Sequence, residues 1–331
     1  MDFNKIFECD NINEIYNYML EYVNKNGNEI EKYDKTKLKE IYNATIRIKK
    51  PQCSILAIKG RGYNPAFMVA ETIWNLYGDT EEWLTKYNDK YQKYFFNGKL
   101  EAGYGNRLYN YNGVNQIEKI VKLLKELPDT QQANAVIYNP EYDLCNPKFV
   151  PCITMLKFRI RENKLFMTTY MRAQDLWKGL PYDIFLLISI FNLIANLLNV
   201  EMGEYIHYCD TLRIYQDNYD EVKGFLTSNC KMNLEKNINF YKEKNIVKNI
   251  KKYRNLIREM PDDIITKIAN EPIFWKNAIK TCYIYKLIKN NRYSDALEIL
   301  NSIDNVFREL ILDWAIKYNK KFIKYMEEIN E

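Results

Sequence analysis

Apolar residues follow three patterns along the chain. Over Thr154–Ile160 they alternate with Thr, Lys and Arg (Met155, Leu156, Phe158 and Ile160), which predicts a strand. A turn at Asn163 and a second strand at Leu165–Tyr170 are expected to follow, and Ala135–Tyr138 reads the same way. In NPAFMVAETIWNLYG the apolar positions Phe67, Met68, Ala70, Ile73, Trp74, Leu76 and Tyr77 keep helical spacing. The third pattern is the nearly continuous run Ile184–Val200, entered through a tight turn at Gly179-Leu180-Pro181. A membrane span needs roughly 20 apolar residues. This run is shorter, and Asn192, Asn196 and Asn199 fall near one stripe of it, so it reads as a buried core helix. Near residues 216–225 the texture changes. Segments such as WKNAIKTCYIYKLIKNN and RYSDALEILNSIDNVFRELILDWAIKYNKKF repeat apolar residues at helical intervals. The chain is therefore expected to divide into 1–218, with strands and helices, and an all-helical extension, 219–331.

Charge sharpens that division. Residues 221–331 carry 21 basic and 15 acidic side chains, a balance of +6, whereas the rest of the chain is at −1. The excess is expected to be a solvated helix face, not a nucleic-acid surface. With 47% apolar and 27% charged residues, disorder is excluded. Seven scattered cysteines, an odd number without a C-x-x-C, oppose a disulfide scaffold and a zinc knuckle. His207 is the only histidine, which leaves a multi-histidine metal site without ligands. The first twenty residues hold no apolar stretch of the signal-peptide kind, and the protein reads as cytoplasmic with no membrane association.

Four residues stand out chemically. Cys152 follows Pro151 at the mouth of the predicted strand; alone it reads as a small buried hydrophobe, and as a nucleophile it needs a cationic neighbour. Arg172, just after the second strand, is such a cation. Asp183 sits in the first turn of the apolar helix, where a dipole role is the plain alternative. Glu71 lies among apolar helix residues; a buried carboxylate needs a partner or a raised pKa, which makes it a proton-transfer candidate.

Six motifs, in order AETIWNLYG, EAGYGNRL, KELPDTQQANAVIYNP, VPCI, YMRAQDLWKGLPYDI and GEYIHYCDTLRIY, resemble the thymidylate synthase superfamily from about Asn43 to Tyr215. The resemblance implies an α/β fold: a large mixed sheet with surrounding helices and a buried central helix, assembled as a homodimer through sheet faces. It implies that Cys152 adds to C6 of a pyrimidine nucleotide and that 5,10-methylenetetrahydrofolate supplies the one-carbon unit, with no metal. Arg172 would bind the phosphate and lower the thiol pKa. Glu71 and Tyr104 would serve proton transfer. Asp175 and Trp74 would meet the folate. Tyr215, with Arg213 in place of the family's His, would face the ribose.

The departures from the family pattern shape the expected function. Asp183 replaces the Asn that reads uracil; a protonated Asp can donate to N3 of cytosine and accept from its amino group, so a cytosine base is expected. That change marks the branch of CMP and dCMP hydroxymethylases. The helical extension, ending KYMEEINE, stands where the family has a short apolar tail over the site, which favours water attack and a 5-hydroxymethyl product. Ala173 replaces a Ser and, with Arg213, favours CMP over dCMP. Gln131 and Gln132 replace two arginines that the partner subunit offers to the phosphate, and Ile153 replaces a His; both weaken the resemblance. Lys59 and Arg61 are candidates for the missing phosphate loop. The expected function is a folate-dependent cytidylate 5-hydroxymethylase in the biosynthesis of nucleosides or pyrimidine antimetabolites of the bacimethrin type. A dCMP hydroxymethylase, a thymidylate-synthase-like methylase, and a degenerate nucleotide- or RNA-binding homologue are the alternatives.

Overall fold

A computed structural model describes residues 4–52, 55–145, 150–228 and 246–330. Its strands are β1 (Ile6–Cys9), β2 (Asn28–Glu31), β3 (Lys37–Ile48), β4 (Asn134–Val136), β5 (Ile153–Arg161), β6 (Lys164–Met171), β7 (Gln174–Asp175) and β8 (Glu201–Tyr215). The helices before β8 are α1 (Ile12–Asn26), α2 (Pro65–Tyr77), α3 (Tyr104–Tyr109), α4 (Gln116–Glu126), α5 (Pro140–Asp143) and α6 (Leu180–Leu198). After it come α7 (Tyr219–Thr227), α8 (Ile246–Glu259), α9 (Ile264–Lys267), α10 (Ile273–Lys289), α11 (Tyr293–Leu300), α12 (Asn305–Tyr318) and α13 (Lys320–Asn330).

The strands form one mixed sheet in the order β1-β3-β8-β6-β5-β4, with β2 added to β3 and β7 to β8. The expected hairpin is present. Glu162 and Asn163 both take positive φ, the geometry that lets a two-residue turn follow the strand twist. Alternation puts Tyr205, His207 and Cys209 of β8 on a buried face, beside Met167, Thr169 and Met171 of β6. The opposite face leaves Ile206, Tyr208, Phe166 and Tyr170 partly exposed.

The apolar run is α6, and 78% of its most apolar stretch is buried inside the protein, as expected for a core helix. Its asparagines satisfy one another: Asn196 Nδ2 donates to Asn192 Oδ1 at 3.0 Å, and Asn199 takes the left-handed C-cap position. Helix α2 packs on α6 on one side and on α8, α10 and α12 on the other. Buried side chains before and after Tyr215 join in one core.

Asp79, just past α2, ties the C-terminal helices to this core. Its Oδ2 accepts from Trp83 Nε1 at 2.7 Å and from Arg254 Nε of α8 at 2.6 Å, and both charged side chains are buried. Arg254→Ala would leave Asp79 buried without its counter-charge, and such truncations cost about 3–5 kcal/mol. Urea unfolding is expected to show a loss of that size; a change under about 1 kcal/mol would mean that water replaces the pair.

Candidate active site

Sheet register assembles the site. Cys152 and Arg172 extend the β5–β6 ladder beyond the Ile153–Met171 pair, and Arg172 N donates to Cys152 O at 2.9 Å. The β7–β8 ladder pairs Asp175 with Arg213, two residues from Tyr215. Asp183 enters from the first turn of α6, and Glu71 from α2.

These groups act on one another through space. The charges of Arg172, Asp183, Arg213 and Asp175 bear on the Cys152 thiol. Tyr104 takes a hydrogen bond from the Cys152 backbone and feels the charges of Cys152, Asp183 and Glu71. Tyr215 feels Arg213, Asp175, Cys152 and Arg172. One cluster therefore unites Cys152, Glu71, Tyr104, Asp183, Arg172, Arg213, Tyr215 and Asp175.

Each acid is tuned mainly by burial. Glu71 is 8% exposed, and desolvation pushes its pKa up to about 8 although Tyr91 donates a short hydrogen bond to its Oε1. Asp183 is pushed up to about 6 by burial and by the charge of Asp175, against a hydrogen bond from Gln174 Nε2 at 2.9 Å. Asp175 is also raised by burial, while its Oδ1 accepts from the backbone of Trp177 and Lys178 at 2.8 and 2.9 Å. For Cys152 burial outweighs the cations, so the thiol lies above its ordinary value. Arg172 does pull it down, as the resemblance implied, but the net shift is upward. The Arg172 guanidinium is held by Pro151 O at 3.0 Å and Val150 O at 2.8 Å.

Other expectations fall elsewhere. Gln131 and Gln132 are exposed, and the β4–β5 register sets them toward the end of β5 opposite Cys152, outside the cluster of their own chain. Ala173 is buried beside the site. Trp74 is 2% exposed, with its indole N–H donated to Glu81 O and its ring against Gly103. Arg61 is buried, stacks on Trp177 at 3.8 Å and donates to Tyr16, whereas Lys59 is exposed. The additional cation near Arg172 and Arg213 is instead Lys32, whose pKa is lowered by burial and by both arginines. His207 is fully buried, with Nδ1 against Tyr205 OH at 2.9 Å; burial drives its pKa down to about 3, so it stays neutral. Lys32, Tyr91 and Gln174 carried no signal in the sequence, because only the fold brings them to the cluster.

The pattern of the thymidylate synthase family matches residues 14–259. The chain is 34% identical over 221 residues to the deoxyuridylate hydroxymethyltransferase of Bacillus phage SP01, covering 62% of this chain and 57% of that enzyme's length. It is 28% identical over 142 residues to the thymidylate synthase of Mycoplasma genitalium, covering 43% of this chain and 48% of that enzyme. A thymidylate synthase homologue of Methanosarcina mazei is 27% identical over 227 residues, covering 67% of this chain and 94% of its own length. The chain thus belongs to the thymidylate synthase family, and it spans little more than half the length of the phage relative.

Proposed function

We propose that the protein is a folate-dependent 5-hydroxymethylase of a cytosine nucleotide, with CMP preferred to dCMP. The observation that carries this reading is Asp183, a carboxyl whose pKa is raised to about 6 beside the thiol. Asn offers uracil a fixed pair of one donor and one acceptor; an acid in the same place can offer cytosine the reverse pair. Hydroxymethyl transfer is supported by the phage relative's name. That name also favours a second reading, a uracil nucleotide as substrate.

In this proposal the Cys152 thiolate adds to C6 of the base, and the negative charge moves toward C5. Arg172, Arg213 and Lys32 hold the 5′-phosphate, whose charge relieves their mutual repulsion. Glu71, protonated at neutral pH, serves as proton donor through Tyr91 and Tyr104. Ala173 leaves room for the ribose 2′-hydroxyl, on the side that Tyr215 and Arg213 face. The folate cosubstrate supplies a one-carbon unit at the oxidation level of formaldehyde. Asp175 fits an N–H donor of its pterin, since Oδ1 is committed to two backbone amides and Oδ2 is left for a ligand. Trp74 offers no N–H to the folate, because its indole donates to Glu81 O. A second copy, docked on the partly exposed sheet face that bears Ile206, Tyr208 and Tyr170, completes the phosphate site with Gln131 and Gln132; light scattering is expected to give a dimer mass.

The test is tritium release from [5-³H]-labelled CMP, dCMP, UMP and dUMP with methylenetetrahydrofolate, with product mass read alongside. Release from CMP and a gain of CH2O are expected. Release from dUMP alone would install the second reading. Asp183→Asn is expected to move the CMP-to-UMP ratio of kcat/KM toward uracil by about 10–100-fold, the worth of one mispaired buried group. An unmoved ratio removes Asp183 from base selection.

A further inference from the structure

Gln174 lies between the two acids at the start of α6. It is 1% exposed, and its Nε2 donates twice: to Asp183 Oδ2 at 2.9 Å and to the Asp175 carbonyl oxygen at 3.1 Å. The second bond fixes the amide. Turned over, Gln174 would set its Oε1 against the Asp175 carbonyl, two acceptors with no proton between them. Asp183 Oδ2 is therefore held as an acceptor. Gly179 leaves the space that this contact needs: a Cβ there would stand 3.1 Å from Asp183 Oδ2 and 2.9 Å from Gln174 Nε2. A proton on this carboxyl belongs on the other oxygen, Oδ1. Gln174 Oε1 meanwhile stays buried with no hydrogen-bond partner among the described residues.

We infer that Gln174 is a positioning residue for base selection: it decides which oxygen of Asp183 carries the proton, and so which pyrimidine edge the carboxyl can read. The inference rests on the base-reading role proposed for Asp183.

A neutral carboxyl alone is ambiguous. With the proton on one oxygen it matches a ring-nitrogen acceptor and an amino donor, the edge of cytosine. With the proton on the other it matches N3–H and O4, the edge of uracil. Replacing Asn by Asp therefore does not by itself choose a base. Fixing Oδ2 as acceptor removes one of the two forms. The remaining form presents Oδ1–H as donor, with Oδ2 and the unpartnered Gln174 Oε1 as acceptors. With Oδ1 turned to the ring nitrogen, and Oδ2 with its acceptor neighbour Gln174 Oε1 turned to the exocyclic group, that set suits an aminopyrimidine: its ring nitrogen accepts from Oδ1–H, and its amino group donates to the two oxygens.

Binding without folate keeps this test separate from catalysis. CMP and UMP are titrated calorimetrically into the native protein, Gln174→Met and Gln174→Leu, at pH values on both sides of the Asp183 titration. Met keeps the length and Leu most of the volume, and neither donates a hydrogen bond. The native preference for CMP is expected to collapse by about tenfold or more in both variants, the equivalent of one mispaired group. The pH at which the preference fades should also rise in Gln174→Met, because the lost hydrogen bond favoured the ionised carboxylate. Asp175, Glu71, Cys152, Tyr91, Tyr104 and Tyr205 also surround Asp183 and are unchanged in that variant. A merely structural role would lower both affinities alike and leave the pH midpoint in place. A CMP-to-UMP ratio within about twofold of native in either folded variant overturns the inference. Tighter UMP binding by the native protein overturns the aminopyrimidine class. An unchanged ratio together with CMP turnover sinks the role of Gln174 while the proposed function stands.

Discussion

Cys152→Ser is expected to lower tritium release from labelled nucleotide by on the order of 10⁴-fold, as removal of a covalent nucleophile does. The position allows a clean substitution. The side chain is only partly buried at the start of β5, and the Cys152 backbone carries the bonds to Arg172 and Tyr104. Serine keeps that backbone and nearly the same volume. It loses the one property the reaction needs: a sulfur that ionises within reach of physiological pH. Burial already holds the thiol above its ordinary value, and Arg172 and Arg213 oppose that shift. A hydroxyl, far weaker as an acid, would not ionise there at all. Nucleotide affinity and the unfolding midpoint should be unchanged. A residual rate within about tenfold of native would show that no bond from residue 152 to the base is required.

Glu71→Gln should cost about 10²–10⁴ in kcat, the usual worth of a positioned acid or base. Its pH behaviour identifies the cause. The Glu71 pKa of about 8 makes the protonated carboxyl the dominant form at neutral pH. The kcat profile of the native protein should therefore fall as pH rises through 8, and this limb should vanish in the variant. Stability carries the same signature with a definite sign. The folded pKa lies above the unfolded value of 4.5, so the folded state binds more protons between those two values. Native stability must then decrease as pH climbs from 4.5 to about 8 and level off above it. Glu71→Gln, still able to accept from Tyr91, should flatten that slope in urea unfolding. An unaltered slope would place the titration on another group.

Much of the fold is legible in the sequence because the period of burial is written there. The alternation after Cys152 gives β5 and β6, and the helical spacing around Glu71 gives α2. A carboxylate inside that spacing is itself a chemical signal. The site is legible where a motif fixes both spacing and residue type, as in RAQDLWKGLPYD. It is not legible where strand register does the work. Gln174 faces Asp183 only because β7 docks on β8 as α6 begins, and Tyr91 reaches Glu71 from a short 3₁₀ turn with no apolar period. Nor could spacing give the sign of the Cys152 shift, since that balance between desolvation and two cations is settled by packing.

The seating of α2 has a consequence for how the protein comes into being. This helix holds Glu71 and rests on α6 and α3, and α8, α10 and α12 also pack against it. During synthesis the ribosome releases the strands and α2 long before those three helices. Until they emerge, the segment bearing the acid has an unclad apolar flank. The helix is thus fully clad only late, when the final third of the polypeptide closes over the two thirds already laid down.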